Sequence, residues 1–316
     1  MNFDNNIIAP ISKAALHSEL TKNNFVRPTN FGKNDIYIFS GNDCPNLLLE
    51  LGRLREISFR LGGGGTGKPY DLDHYDKGPH AYKQLIVWNA EDEEIVGGYR
   101  FAVVPQVIDA AGTVHLSTKE IFTFSERFIT EYFPYTIELG RSFVQPKYQP
   151  SNDFRKGLFS LDNLWDGLGA LIIDYPNMKY FFGKVTMYKG FNAIARDYIY
   201  TFIDHYFPAP KGLITIPNPV GITSDCSNLK KQIEGLAYKE GYKIVNTMVR
   251  ALNENIPPLY NSYMNTSPNM YCFGTAINHH FGGVLETGIL IKIKDIYPVK
   301  KDRHVQSYNE FLKGNF

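Results

Sequence analysis

Apolar residues recur along the chain in two rhythms. Leu47, Leu48, Leu51, Leu54 and Ile57 fall at the three-and-four spacing of a helix with one buried face. Asp43-Cys44-Pro45 in front of them reads as a cap followed by an early-helix proline. The glycines at 62–65 end the helix, because glycine continues one only at a cost. Elsewhere the rhythm is that of strands: residues 36–40 (IYIFS), 82–88 (YKQLIVW), 95–104 (IVGGYRFAVV), 136–144 (TIELGRSFV) and 180–188 (YFFGKVTMY). Ala90-Glu91-Asp92 reads as the turn of a hairpin between the second and third of these. Helices are expected over 158–174 and 192–207, the latter with Ile194, Tyr198 and Phe202 on one face. A polar helix from Leu229 to about Glu254, Pro257-Pro258, and a β-rich end around 289–296 complete the pattern. The order β-α-β-β-β-α-β-α, followed by more α and β, predicts a mixed α/β (α+β) sheet with antiparallel hairpins and parallel returns. Residues 1–33 read as an N-terminal extension, 34–225 as the core, and 226–316 as a segment completing the same domain.

Composition narrows the function classes. A formal net charge of +1 and no basic run leave nothing to hold a nucleic acid. Cys44, Cys226 and Cys272 are odd in number and far apart, which fits a reducing compartment and no metal spacing. No secretory start and no apolar run of spanning length are present, so a cytoplasmic setting is expected. The 21 Tyr and 22 Phe fit a thick aromatic core, or a cleft lined for something long and apolar.

Several motifs are traps. GGGGTGK at 62–68 fits most of a phosphate loop, but it follows a helix and Pro69 replaces the Ser/Thr that would ligate magnesium. A glycine hinge is the better reading. There is no HExxH, no HxxxxD and no GxSxG.

What remains is charge inside apolar stretches. Arg55 and Phe59 share the first helix. Asp71, Asp73 and Asp76 sit in YDLDHYD, Arg100 in one strand, and Glu138 and Arg141 in another. Burying one of these unpaired costs on the order of 3 to 5 kcal/mol, so three arginines and four carboxylates should pair. Such a network is either a structural strut or the rim of a site that orients an amine.

The order Arg-x-x-x-Phe, Asp-x-Asp-x-x-Asp, Arg, Glu-x-x-Arg resembles the acyl-homoserine-lactone (autoinducer) synthases, with Asp71 where that family has Glu. DLDHYD, IVGGYRF and ELGRSFV look closer still to the hemolysin-like ornithine and glycine N-acyltransferases of lipid biosynthesis. The autoinducer synthases carry a tryptophan shortly after the first helix. Here glycines 62–65 stand instead, which favours a plain amino acid acceptor over lactone formation.

The resemblance implies the GNAT fold, with residues 138–144 and 180–188 as a splayed strand pair that admits a pantetheine arm. It implies an N-acyltransferase moving a long, 3-hydroxy or plain, acyl chain onto an α-amine. Alternatives are a lactone synthase and a catalytically silent module that binds lipid or carrier protein. Amides near Phe143 would polarise the thioester, Glu138 would be the base, and Arg100 or Arg141 would hold the acceptor's carboxylate. Arg55, Phe59, Asp71, Asp73 and Asp76 would shape the substrate site. Arg155, Lys156 and Gly157 would take the phosphopantetheine phosphate. Their segment, QPSNDFRKGL, lacks the double glycine of a pyrophosphate cradle, so acyl carrier protein is expected as donor over coenzyme A. The implied partners are carrier protein and an amino acid, with peripheral membrane contact allowed. The donor is a substrate; no bound cofactor or metal is expected.

Overall fold

The computed structural model describes residues 6–150, 157 and 159–315. Ten strands form. They are β1 (Phe25–Pro28), β2 (Asp35–Ser40), β3 (Lys83–Asn89), β4 (Glu94–Val103), β5 (Thr123–Phe124), β6 (Thr136–Val144), β7 (Tyr180–Met187), β8 (Ile214–Thr215), β9 (Tyr271–Asn278) and β10 (Val284–Lys292). Eight make one sheet in the order β1-β2-β3-β4-β6-β7-β10-β9, while β5 and β8 form a separate ribbon. Every pairing in the large sheet is antiparallel except β6 with β7.

That parallel pair is brief. It runs from Thr136 opposite Tyr180 to Leu139 opposite Gly183, and then stops, although β6 continues to Val144 and β7 to Met187. The strands fork. On its other side β6 slips against β4: Gly98 faces Phe143 but Arg100 faces Gly140, so β6 carries one extra residue there. A bulge of this kind bends its strand, and Arg141 within it has φ +54°, a left-handed conformation rare for a residue with a side chain. The bend helps turn β6 away from β7. The central sheet is thus the mixed, splayed sheet of a GNAT fold.

Helices cover both faces. Period-two alternation sends Ile86 and Trp88 of β3 to one side, where they pack with Leu47, Leu48 and Leu51 of α2 (Pro45–Leu61). Leu85 and Val87 go to the other, against Leu164, Trp165, Leu168 and Leu171 of α4 (Ser160–Asp174). Each fully buried leucine contributes roughly 1.5–3 kcal/mol, so these two layers fix the sheet between its helices. Between α2 and α4 in chain order lies a short α3 (Glu126–Glu131); α1 (Lys13–Glu19) precedes α2.

Several expectations need correction. Asp43 does not cap α2. Cys44 is the boundary residue and makes no side-chain cap. Glu19 of α1 does the work, its carboxylate accepting from the amides of Asn46 (3.0 Å) and Leu47 (2.7 Å). A negative charge there also suits the helix dipole. The polar helix expected over 229–254 is two helices, α6 (Ser227–Ile233) and α7 (Tyr238–Arg250), parted by Gly235 at φ +72°. They follow α5 (Ala193–Tyr206). The β-rich end begins earlier, at Val284, and its partner β9 carried no strand signal strong enough to read. After α8 (Pro258–Met264), β9 and β10 join the same sheet as the core, on the free side of β7. No described helix is long and apolar enough to cross a membrane.

Candidate acyl-transfer site

The charges singled out in the sequence converge behind the fork. Arg55, fully buried on α2, donates to Asp76 (3.0 Å) and to Gln84 (2.6 Å). Arg100 on β4 donates to both oxygens of Asp73 (2.6 and 2.9 Å) and to Asp76 (3.0 Å). Its guanidinium stacks 5.1 Å from the Tyr82 ring. Arg141 Nε lies 2.9 Å from Asp71 Oδ2, an ion pair by distance whose angle does not make a hydrogen bond. The Arg141 guanidinium sits 4.2 Å over Phe281 and 3.6 Å from Asp73. Three arginines therefore balance three aspartates.

The electrostatics follow from who wins locally. Burial pushes the Asp73 and Asp76 carboxyls up, but Arg100 overrules it at both, joined by Arg55 at Asp76, and both are held below the usual carboxylate range. At Asp71 burial prevails over its arginines and the carboxyl is raised. A depressed carboxyl contributes stability above its unfolded value of about 3.9, and loses it as pH falls through the folded value. A raised one gains stability as pH falls toward that same point. The stability gap between the wild type and Asp76→Asn is therefore expected to stay level from pH 7 to about pH 4 and to close below it. Urea titrations across that range check it; a gap that closes between pH 7 and 5 would contradict the assignment.

Glu138 stands apart from the network. The expectation that the three arginines pair with all four carboxylates is corrected at Glu138: among the described residues no cation lies within ion-pair distance of it. Fully buried, it accepts from the hydroxyls of Tyr82 (2.5 Å), Ser117 (2.8 Å) and Thr118. Burial and the neighbouring Glu138 raise the Tyr82 hydroxyl well above its usual range, so it stays a donor. Ser117 and Thr118 come from a segment the sequence left unassigned, and Tyr82 opens the strand expected over 82–88, where nothing in the spacing points its hydroxyl at Glu138.

The fork opens a cleft that reaches solvent. Arg100, Ser117, Gly140, Arg141 and Ser142 line it from the β6 side, with Phe59 of α2. Phe59 packs edge-to-face on Phe281 at 5.0 Å and on Phe143 at 6.3 Å, so Phe143 itself is buried behind it. Across the fork stand Lys184 and Thr186 of β7 and Glu286 of β10. These were missed, though the signal was present: Lys184 in YFFGKVTMY and Glu286 in VLETGILIK are charges inside apolar strands, like Arg100 and Arg141. A second, narrow and mainly apolar cleft shares Leu139, Ser142, Leu259 and Tyr263 with the first and continues between Leu161, Leu164, Trp165 and Leu168 of α4 and Tyr99 of β4.

Arg155 and Lys156 lie outside the described residues. Gly157 is described, and backbone contact explains it. A Cβ there would meet Pro150 N at 2.3 Å and Gln149 C at 2.6 Å. The glycine loop after α2 is no free hinge, since Glu56 ties it down. Its carboxylate accepts from the amides of Thr66 (3.0 Å) and Gly67 (2.7 Å), the donors a phosphate loop would offer its ligand. Among the described residues no group of three His, Cys, Asp or Glu is placed to hold a metal ion.

Residues 54–155, which carry the second half of α2, the aspartate loop and β6, match the acetyltransferase (GNAT) domain family. The chain is 52% identical to a glycine N(alpha)-acyltransferase of Phocaeicola vulgatus, over 96% of this chain and 93% of that protein. It is 51% identical to a glycine N(alpha)-acyltransferase of Bacteroides thetaiotaomicron, over 96% of this chain and 90% of that one. The chain belongs to this family of N-acyltransferases. No solved structure matches it. The forked strands, the charged cleft and the apolar cleft are therefore those of an acyltransferase.

Proposed function

We propose that the enzyme transfers a long acyl chain, 3-hydroxylated or plain, from the phosphopantetheine thioester of acyl carrier protein to the α-amine of glycine, in the cytoplasm. One observation carries the reading: the fork joins a charged wall to an apolar cleft, so an amino acid and an acyl chain can meet at one point. The donor's pantetheine enters between β6 and β7, and the acyl chain lies along Leu164, Trp165 and Leu168. Past Leu139 the β7-facing edge of β6 has no strand partner among the described residues, and its amides near Phe143 are placed to receive the charge that develops on the thioester oxygen.

Glycine enters as an ammonium and must lose a proton before it attacks. Glu138 does not line the cleft, but Ser117 does, and its hydroxyl donates to Glu138. The proton passes to Glu138 through that hydroxyl. The neutral amine then forms the C–N bond as the C–S bond breaks. A second N–H proton leaves with the pantetheine thiolate, and the amide keeps one. Arg141, whose guanidinium has donors beyond its two aspartate contacts, orients the carboxylate. The acceptor that the two relatives are named for, glycine, supports that choice over ornithine. Arg155 and Lys156, before Gly157, take the single phosphate.

The test is product analysis with purified protein. Glycine and a matched acyl chain should yield N-acylglycine, with kcat/KM higher for acyl carrier protein than for coenzyme A. Equal or better turnover of the coenzyme A thioester removes the carrier-protein donor; no acylglycine from either removes the reading.

A further inference from the structure

Lys184 and Glu286 have no part in the charge network behind the fork, yet both face into it. Glu286 stands opposite Thr186 in the β10–β7 register, and Lys184 is two residues before Thr186, so all three project from one face of the sheet. Lys184 Nζ lies 2.8 Å from Glu286 Oε2, and both side chains are less than one-tenth exposed. Asn278 of β9 donates to the same carboxylate oxygen at 2.8 Å, fixing its direction. Burial pushes the Glu286 carboxyl up, but Lys184, Asn278 and Arg141 overrule it and keep it ionised.

The fold gives little reason for such a pair. Replacing a buried ion pair by apolar side chains of similar volume is often neutral or stabilising. A ligand gives a better one. The acceptor is a zwitterion, two opposite charges a few bonds apart, and its complement is a pair of opposite charges at similar spacing on a dry wall. Among the described residues that line the fork, Glu286 is the one carboxylate, and Arg141 faces it from β6.

We infer that Lys184 and Glu286 form the receptor for the acceptor amino acid, Glu286 taking the ammonium and Lys184, with Arg141, the carboxylate. The inference rests on the proposed glycine acylation. The resting ion pair fills the site and separates as glycine exchanges one set of opposite charges for another, so neither charge is left buried alone when glycine binds. Glu286 holds the nitrogen on the β7 side of the fork, facing the Ser117 hydroxyl that leads to Glu138. It positions the amine; the proton leaves on the other side.

Steady-state kinetics on Glu286→Gln, Lys184→Met and the double variant test this, with glycine and ethylamine as alternative acceptors. Each single variant should raise KM for glycine by about tenfold or more, the scale of one lost charge-assisted hydrogen bond, and leave KM for the acyl donor unchanged. Lys184→Met should also bring glycine down toward ethylamine, which has no carboxylate to bind. The double variant loses both charges together and should fold even where a single one does not. A folded double variant with wild-type KM for glycine overturns the receptor while leaving the proposed reaction standing. A wild type that makes no acylglycine overturns both.

Discussion

Glu138→Gln is expected to lower kcat by about 10² to 10⁴ with little change in melting temperature. The geometry makes this a sharper test than the sequence allowed. Glu138 has no arginine to abandon; its partners are the hydroxyls of Tyr82, Ser117 and Thr118. A carboxamide keeps one acceptor oxygen for two of these, and the Thr118 hydroxyl turns to accept from the new amide nitrogen. The folded state therefore loses little, about 1 kcal/mol, the ordinary scale of one hydrogen bond. What disappears is the ability to take a proton. Ser117→Ala cuts the same route at the cleft end and should show a similar loss, and the two losses should not multiply in the double variant. Raising the pH supplies amine already deprotonated, so the deficit should shrink. A Glu138→Gln protein nearly fully active at pH 7 would take Glu138 out of the proton path. A protein that loses both activity and melting temperature would make it a strut for the Ser117–Thr118 turn.

Arg100→Met should have the largest effect on stability. Arg100 is buried, donates three hydrogen bonds to Asp73 and Asp76, and rests on the Tyr82 ring. Removing it leaves the buried Asp76 carboxylate beside the partly exposed Asp73, with only Arg55 and the partly engaged Arg141 in reach. Breaking a buried pair in this way costs about 3–5 kcal/mol. At roughly 2–4 °C per kcal/mol for a chain of this class, the melting temperature should fall by about 6–20 °C. Adding Asp73→Asn removes one of the stranded charges and should recover part of the loss. Thermal unfolding of the three variants settles it. A melting temperature within about 2 °C of wild type for Arg100→Met would mean that the aspartates shed their charge or reach water without strain.

These expectations show where the chain's information lies. Helix α2, the β3–β4 hairpin, β6, β7 and α4 were legible because each carries an apolar rhythm over seven or more residues, and burial enforces that rhythm locally. The charged positions were legible for the complementary reason. Arg55, Arg100 and Arg141 interrupt apolar stretches, and the cost of burying a lone charge demands partners, which YDLDHYD supplies. Which charge meets which was another matter. Arg100 takes Asp73 and Asp76, and Arg141 leans on Asp71, while Glu138 is left to three hydroxyls. No spacing rule yields that, because partner choice depends on which side chains the sheet brings to one face.

The tertiary structure alone decided the fork and its far wall. The β6–β7 separation depends on where a parallel register ends, at Leu139 and Gly183, and on a bulge around Arg141 that no local pattern announces. Lys184 and Glu286 lie 102 residues apart in sequence, and Asn278 comes from a strand whose apolar alternation is weak. They meet because β10 inserts between β7 and β9, a long-range pairing selected by the whole sheet. The Glu19 cap on α2 belongs to the same class: a residue unremarkable in its own neighbourhood answers a need created by a distant segment. The sequence by itself determined which stretches are buried and which charges must be satisfied; the fold decided by whom, because satisfaction depends on distance in space and not along the chain.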